Sequence, residues 1–320
     1  MYVLELGGED DSLAAREAES AAEGVERIAP GLALAREVAH HRVRGLAYTH
    51  RASRVVGRTD ADIEDACTLL AAAALDIEGT VAVRARDVRR SADIDTQTAE
   101  RRLGDILTER GFAVDLESPD NELRALFSGE TCVLGWLAVE SRRDFGARAP
   151  TNKPFFQPGS MSPLLARALA NIAGARPDST IVDPMCGTGG ILTEAGLVGS
   201  RVVGIDVQSK MAHGAAENLS YYLDTGFATA QGDATRLPIR DGAADAVVFD
   251  APYGRQSKIE GELDSVVAGA LMEARRIGSR AVVVGDRPWT DVARAAGWRV
   301  EDTFERRVHR SLTRHIAVLR

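Results

Sequence analysis

Asp250, Ala251, Pro252 and Tyr253 follow directly on the apolar run Ala246-Val247-Val248-Phe249. A carboxylate at the end of a buried strand accepts a hydrogen from an amino group, and a backbone carbonyl beside a proline accepts another. Pro252 fixes the turn, and the ring of Tyr253 can stack on a planar base. Together these residues suit a site that grips an exocyclic amine of a nucleobase, a weak nucleophile that must be oriented before it reacts. Taken without its neighbours, the stretch is also an ordinary Pro-Tyr-Gly turn.

The neighbours decide between those readings. Asp183 ends the apolar run Thr180–Asp183 and opens Asp183-Pro184-Met185-Cys186-Gly187-Thr188-Gly189-Gly190. Glycines there let the backbone turn sharply and approach a ligand at a helix N-terminus. A dinucleotide fingerprint needs Gly or Ala at its third glycine position, where this chain has Leu192. An acid ahead of the glycines also repels a pyrophosphate. It suits a cationic sulfonium cofactor whose methionyl amino group needs an anionic partner, so S-adenosylmethionine is expected rather than NAD. Asp206, followed by Val207, can take both ribose hydroxyls, and Asp233 with Ala234 can meet the adenine amino group. A lone strand-end Asp is commonly a turn or a helix cap; acids ending four successive strands form a binding edge. Cys186 has no base near it in sequence and is expected as a small residue of the cofactor loop rather than a nucleophile.

An alternation of strands and helices must position these groups. Strands are expected at Thr180–Asp183, Arg201–Asp206, Ala228–Gln231, Ala246–Asp250, Ala281–Val284, Arg299–Thr303 and His315–Leu319. Helices are expected near Gly190–Leu197, Lys210–Tyr222, Glu262–Ile277 and Asp291–Ala296. This is an α/β, Rossmann-like, seven-stranded sheet. Its last two strands, joined through Phe304–Arg314, make an antiparallel edge pair typical of methyltransferase sheets. Ahead of it, Ser162 caps a helix with Pro163 at its first position and Gly174 at its end. The polar, basic stretch 141–153 reads as a linker.

The N-terminal region is α/β as well. Residues 1–60 are expected as a small subdomain: a strand at Tyr2–Leu6, a helix from Ser12 to Arg27, a turn at Pro30-Gly31, and Leu32–Val38 pairing back. Adjacent His40 and His41 fall on opposite faces of a strand and make no metal site. Residues 61–140 follow with a helix at Ile63–Leu75, a strand at Thr80–Arg86 and a helix at Thr96–Arg110 ended by Gly111. Three short strands near Ala113–Leu116, Leu123–Ser128 and Cys132–Val139 complete that part. Arg84, Arg86, Arg89 and Arg101 cluster here with Arg90 and Arg102, either as a solvated face or as forked cations for phosphate.

Length and composition bound the class. The chain has 320 residues, 45% hydrophobic, with a formal net charge of −8. Two or three domains are expected, with no apolar stretch of membrane length and no basic-then-apolar leader. Cys67, Cys132 and Cys186 are far apart, so neither a disulfide framework nor a zinc site is expected, and a cytoplasmic place is. An acidic total ordinarily counts against nucleic acid. Lysine is confined to Lys153, Lys210 and Lys258, however, and Arg bias with surplus acid resembles proteins adapted to high salt, where local basic patches outweigh the sum.

The segment Val81-Ala82-Val83-Arg84-Ala85-Arg86, with Thr98-Ala99-Glu100-Arg101-Arg102-Leu103-Gly104 and Val114-Asp115-Leu116-Glu117-Ser118-Pro119-Asp120, resembles a THUMP domain, an RNA-binding module. The whole chain resembles the archaeal tRNA guanine-N2 methyltransferases that act at guanosine 10. That resemblance rests on Pro154-Phe155-Phe156-Gln157-Pro158-Gly159-Ser160-Met161, the Asp183–Gly190 loop, the Asp250 turn and His309-Arg310-Ser311-Leu312-Thr313-Arg314. It implies a class I methyltransferase domain at 154–320, mono- and dimethylation of one guanine amine in tRNA, and N-terminal domains that grip the tRNA. No DNA partner is expected, and the sequence requires no protein partner while leaving a small activator open. Ala251 stands where the family usually has proline, and Gln157 where histidine is common. Arg310 and Arg314 fall in the basic connection before the last strand and are candidates for RNA contact. The competing readings are the same chemistry on another tRNA or rRNA guanine, an adenine N6 transfer, and an RNA-binding protein that no longer turns over.

Overall fold

The computed structural model describes residues 1–253, 260–309 and 312–320. The chain divides into two compact units, Met1–Arg142 and Arg143–Arg320. No helix among the described residues is long and apolar enough to cross a membrane.

In the first unit the elements run β1 (Tyr2–Leu6), α1 (Asp11–Ala18), β2 (Ala22–Glu23), β3 (Glu26–Ala29), β4 (Leu32–Ala35), β5 (Glu37–Val38) and α2 (His40–Val43). They continue with β6 (Thr49–Asp60), α3 (Ile63–Ala72), β7 (Val81–Asp87), α4 (Thr96–Glu109), β8 (Asn121–Ser128) and β9 (Thr131–Glu140). One sheet, in the order β3-β4-β1-β6-β9-β8-β7, takes in both parts expected as separate; only β2 and β5 pair apart from it. Strand β6 spans twelve residues and pairs with β1 on one side and β9 on the other, so residue 60 is no break in the sheet. A buried ion pair crosses the old division too: Arg124 on β8 donates through Nε and Nη2 to Glu5 on β1 at 3.0 and 3.1 Å. Helices α3 and α4 press Leu70, Leu103 and Leu107 onto the strand residues Val81, Leu123 and Phe127.

Several local expectations change. Asp10, not Ser12, caps the first helix, accepting from the N–H groups of Ser12 and Leu13. The helix stops at Ala18, where buried Glu17 accepts from the Ala47 and Tyr48 N–H groups, and the chain after it turns into strand. His40 and His41 lie on a helical turn, both exposed. Ala113–Leu116 forms only one bridge, between Val114 and Val81.

The second unit is built from α5 (Pro163–Ala173), β10 (Thr180–Asp183), α6 (Gly190–Leu197), β11 (Arg201–Asp206), α7 (Ser209–Tyr222) and β12 (Phe227–Gln231). Then come β13 (Ala246–Asp250), α8 (Glu260–Ile277), β14 (Ala281–Gly285), α9 (Thr290–Ala295), β15 (Val300–His309) and β16 (Leu312–Leu319). The seven strands lie in the order β12-β11-β10-β13-β14-β16-β15, parallel up to β14, with β16 antiparallel to both its neighbours. The order turns back between β10 and β13, the crevice where open α/β sheets bind ligands. Ser162 caps α5, Pro163 begins it and Gly174 ends it at φ 96°, as expected. The stretch Phe304–Arg314 is largely strand rather than loop, with Arg306 opposite Arg314 and Arg307 opposite Thr313.

The stretch expected as a linker is packed into this unit. Phe145–Arg148 and Pro150–Asn152 form tight 3₁₀ turns, and Phe145, Arg148 and Lys153 are buried. Arg148 Nε donates to Glu194 Oε1 at 2.7 Å, and Arg167 Nη2 reaches Glu194 Oε2 at 2.7 Å. The guanidinium groups of Arg143, Arg148 and Arg167 lie over the Phe145 ring at 5.3, 5.3 and 5.7 Å. Arg148, in a stretch that read as solvated, is internal because a buried carboxylate and an aromatic face receive it.

Candidate active site and cofactor cleft

A cleft of about 490 Å³ opens at the carboxyl edge of the second unit's sheet. Of the residues expected to bind cofactor, Asp183, Cys186, Gly187, Thr188, Asp206, Val207, Asp233 and Ala234 line it, and so do Asp250, Ala251, Pro252 and Tyr253. Gly189 turns the loop into α6 at φ 73° behind the lining, where a Cβ would stand 3.3 Å from the Cβ of Ala215. Gly187 has φ 49°, and a Cβ there would meet nothing within 4 Å: the loop leaves that side open.

The acids differ in their surroundings. Asp183 is 2% exposed and accepts a hydrogen bond from the Met185 N–H at 3.0 Å. Burial, with Asp206 and Asp250 nearby, pushes its carboxyl well above the usual range. Asp206 accepts from Gly187 N–H and Gln208 N–H, both at 2.9 Å, so it braces the loop and keeps lone pairs for a ligand. Asp233 is exposed and is held by the Thr235 N–H and hydroxyl at 2.8 Å, which draw its carboxyl below the usual range. Burial raises the Cys186 thiol, consistent with a filler of the loop rather than a nucleophile.

At the end of β13, the Ala251 N–H donates to Val284 O at 2.8 Å, and its carbonyl takes no hydrogen bond from the described residues. Tyr253 Oη donates toward both oxygens of Asp250, at 2.8 and 3.0 Å. Burial lifts the Asp250 carboxyl above its ordinary value; Arg314 and the Tyr253 hydroxyl act in the opposite sense. Arg314 thus departs from its expected place in an RNA-facing loop. It lies within β16, 5% exposed, and its Nε donates to Tyr253 Oη at 2.8 Å. Its neighbour in the sequence motif, Arg310, lies outside the described residues.

In the first unit, Arg101 is exposed. The other arginines expected to meet RNA have partners in their own unit. Arg84 donates to the Leu116 carbonyl at 2.6 Å, Arg86 reaches Glu5 at 3.3 Å, and Arg89 holds the Gly8 carbonyl and Asp11. Side chains engaged this way keep fewer donors for phosphate.

Asn218 is a site residue that the sequence did not disclose. Buried on α7, it accepts from the Phe155 N–H and donates to the Phe155 and Thr188 carbonyls, each at 2.9 Å. It clamps the segment around Phe155 to the cofactor loop. Gly214, one turn earlier, gives the Phe155 ring its room, since a Cβ there would fall 2.1 Å from it. A Gly and an Asn four residues apart on one helix face were the available signal.

Residues 150–316 match the family described as "RMKL-like, methyltransferase domain". The tRNA (guanine(10)-N2)-dimethyltransferase of Methanothermobacter thermautotrophicus is 37% identical over 86% of this chain and 83% of its own length. The protein of that name from Pyrococcus abyssi is 32% identical over 76% of this chain and 74% of its own length. The chain belongs to the tRNA (guanine(10)-N2)-dimethyltransferase family. The crystal structure of TrmN from Thermus thermophilus matches this family member with a TM-score of 0.50 at 24% identity. That match covers 99% of this chain and 98% of the other, and speaks for the fold. S-adenosylmethionine is the cofactor of this class of methyltransferase, and the residues present fit it. Asp183, a buried carboxylate with no cation paired to it among the described residues, asks for a cationic group such as the methionyl amine. Asp206 at the end of β11 and Asp233 just after β12 line the same cleft.

Proposed function

We propose that this chain transfers methyl groups from S-adenosylmethionine to the N2 amine of a guanosine in cytoplasmic tRNA, guanosine 10. The reading is carried by one juxtaposition: the Asp250 carboxylate and the Ala251 carbonyl, which takes no hydrogen bond from the described residues, open onto the same cleft as Asp183, Asp206 and Asp233. When bound, S-adenosylmethionine supplies an electrophilic methyl group on a sulfonium. Asp183 holds the amino end, Asp206 the ribose and Asp233 with Ala234 the adenine, while Gly187 and Thr188 wall the methionyl portion.

Asp250 and the Ala251 carbonyl each accept one hydrogen of the guanine amine. This draws the nitrogen lone pair out of conjugation and aims it in line with the methyl group. The raised carboxyl of Asp250 also suits it to take the proton that the methylated nitrogen releases. Because the Ala251 acceptor is backbone, alanine in place of proline keeps the function. Tyr253 supplies the stacking face and Pro252 the turn. The first unit, as a THUMP-like module, grips the tRNA, with exposed Arg101 and half-exposed Arg86 among its contacts.

Incubation with labelled S-adenosylmethionine and an unmodified tRNA transcript, followed by mass-spectrometric mapping, tests this. N2-methylguanosine and N2,N2-dimethylguanosine at position 10 are expected from the protein alone. Label at another guanine moves the site, label on adenine N6 changes the reaction class, and no transfer rejects the reading.

A further inference from the structure

The carboxylate that is to receive the amine already holds a partner. Tyr253 has one hydroxyl hydrogen and shares it between Oδ1 and Oδ2 of Asp250. The phenolic oxygen in turn accepts from Arg314 Nε at 2.8 Å. Arg314 Nη2 lies 3.5 Å from Asp250 Oδ2 and 3.4 Å from the Gly159 carbonyl. The three side chains form a line in which arginine donates to tyrosine and tyrosine to aspartate. An amine arriving from the cleft competes with the tyrosine hydroxyl for the same two oxygens.

Burial makes Arg314 useless as a surface phosphate ligand and costly to keep unless it is paired. Among the described residues its partners Tyr253, Asp250 and Gly159 all line the site. Among those residues it is also the cation that faces Asp250, whereas Asp183 at the end of β10 and Asp286 after β14 are like charges. The strand fixes this arrangement: β16 is inserted between β14 and β15, beside the strand that pairs with β13.

We propose that Arg314 is a positioning residue of the methyl transfer: through Tyr253 it fixes the carboxylate of Asp250, and the guanine amine takes the place of the Tyr253 hydroxyl there. This rests on the function proposed above. Once the amine holds the carboxylate, the bond from Arg314 still tethers the phenolic oxygen, so the ring stays at the edge of the site where it can face the base.

The test compares Arg314→Gln, Arg314→Lys and Tyr253→Phe, with cofactor affinity by calorimetry as the control for folding. In Arg314→Gln, kcat is expected to fall about 10- to 100-fold, the loss typical of a misplaced reacting group, with KM for tRNA within about twofold. Arg314→Lys recovers part of that loss. In the Tyr253→Phe background, Arg314→Gln costs little more, because the two act in series; fully additive losses overturn the proposal. An unchanged kcat with a raised, salt-dependent KM for tRNA makes Arg314 a phosphate contact and also overturns it. The second readout needs no RNA. Infrared titration of the Asp250 carboxyl, assigned by difference from Asp250→Asn, is expected to show its midpoint at higher pH in Arg314→Gln. An unmoved midpoint sinks the inference even if wild-type protein transfers no methyl group to tRNA, a result that would reject only the function.

Discussion

Asp183 is buried and Asp250 half-buried, both raised above their ordinary range, yet they should respond differently to substitution. Under the proposed mechanism Asp250→Ala removes a group that acts in the transition state, so kcat is expected to fall about 100- to 1,000-fold. Cofactor affinity, measured by calorimetry, stays within about twofold. Burial holds the native Asp183 carboxyl above the ordinary carboxylate range, so the folded protein binds the proton more tightly than the unfolded chain. Its ionisation therefore costs stability as pH rises from that range through the raised native value. Asp183→Asn keeps the acceptor for the Met185 N–H and removes the charge. The variant is expected to melt higher than wild type at neutral pH without cofactor, to lose that advantage below pH 4, and to bind cofactor poorly. A lower neutral Tm would contradict the assignment. Both acids were legible in the sequence because each ends an apolar run. Arg314 was legible as a residue but not as a role: charge in a run of charge reads as surface until the register of a hairpin turns it inward.

At the scale of elements, Asn218 on α7 is the most exposed to test. Asn218→Ala leaves the Phe155 N–H and two carbonyls without their partners. Losing such buried bonds costs roughly 2–3 kcal/mol, and cofactor affinity is expected to drop about tenfold as the loop from Cys186 to Gly189 loosens. Unchanged cofactor binding and unfolding midpoint would remove the clamp. Helices and strands of the second unit were readable almost to their ends, since apolar runs bounded by Gly, Pro and Ser specify them locally. The long hairpin of β15 and β16 was not, because Glu305, Arg306, Arg307 and Arg314 have no hydrophobic alternation to announce a strand. Ladder hydrogen bonds and a neighbouring sheet edge extend it. The first helix fell short of its expected length, and its last turn carries Glu17, whose partners lie about thirty positions away.

For the whole molecule, the boundary at Arg142 has a measurable meaning. A fragment beginning at residue 143 retains Phe145, Arg148 and Lys153 and is expected to bind cofactor while losing methyl transfer to tRNA. A fragment beginning at 154 takes Arg148 away from Glu194 and leaves that buried carboxylate with Arg167 alone among the described residues. Breaking a buried ionic cluster costs about 3–5 kcal/mol, read as a lower midpoint in urea unfolding. Equal stability of the two fragments would show that the packed turns contribute nothing. From sequence, that segment looked like tether because polar composition signals solvent, and only a partner 46 residues along could have reversed the reading. The strand order has a further bearing on how the protein is made. The sixth position in the sheet is filled by its last strand in chain order, and that strand carries Arg314. A ribosome delivers Asp183, Asp206 and Asp250 well before the strand that completes their edge. The growing chain can shape a cofactor cleft early, but it cannot hold Tyr253 and Asp250 in register until β16 has emerged and slipped between its neighbours. Assembly of the methyl-transfer centre in this way waits for synthesis through that strand.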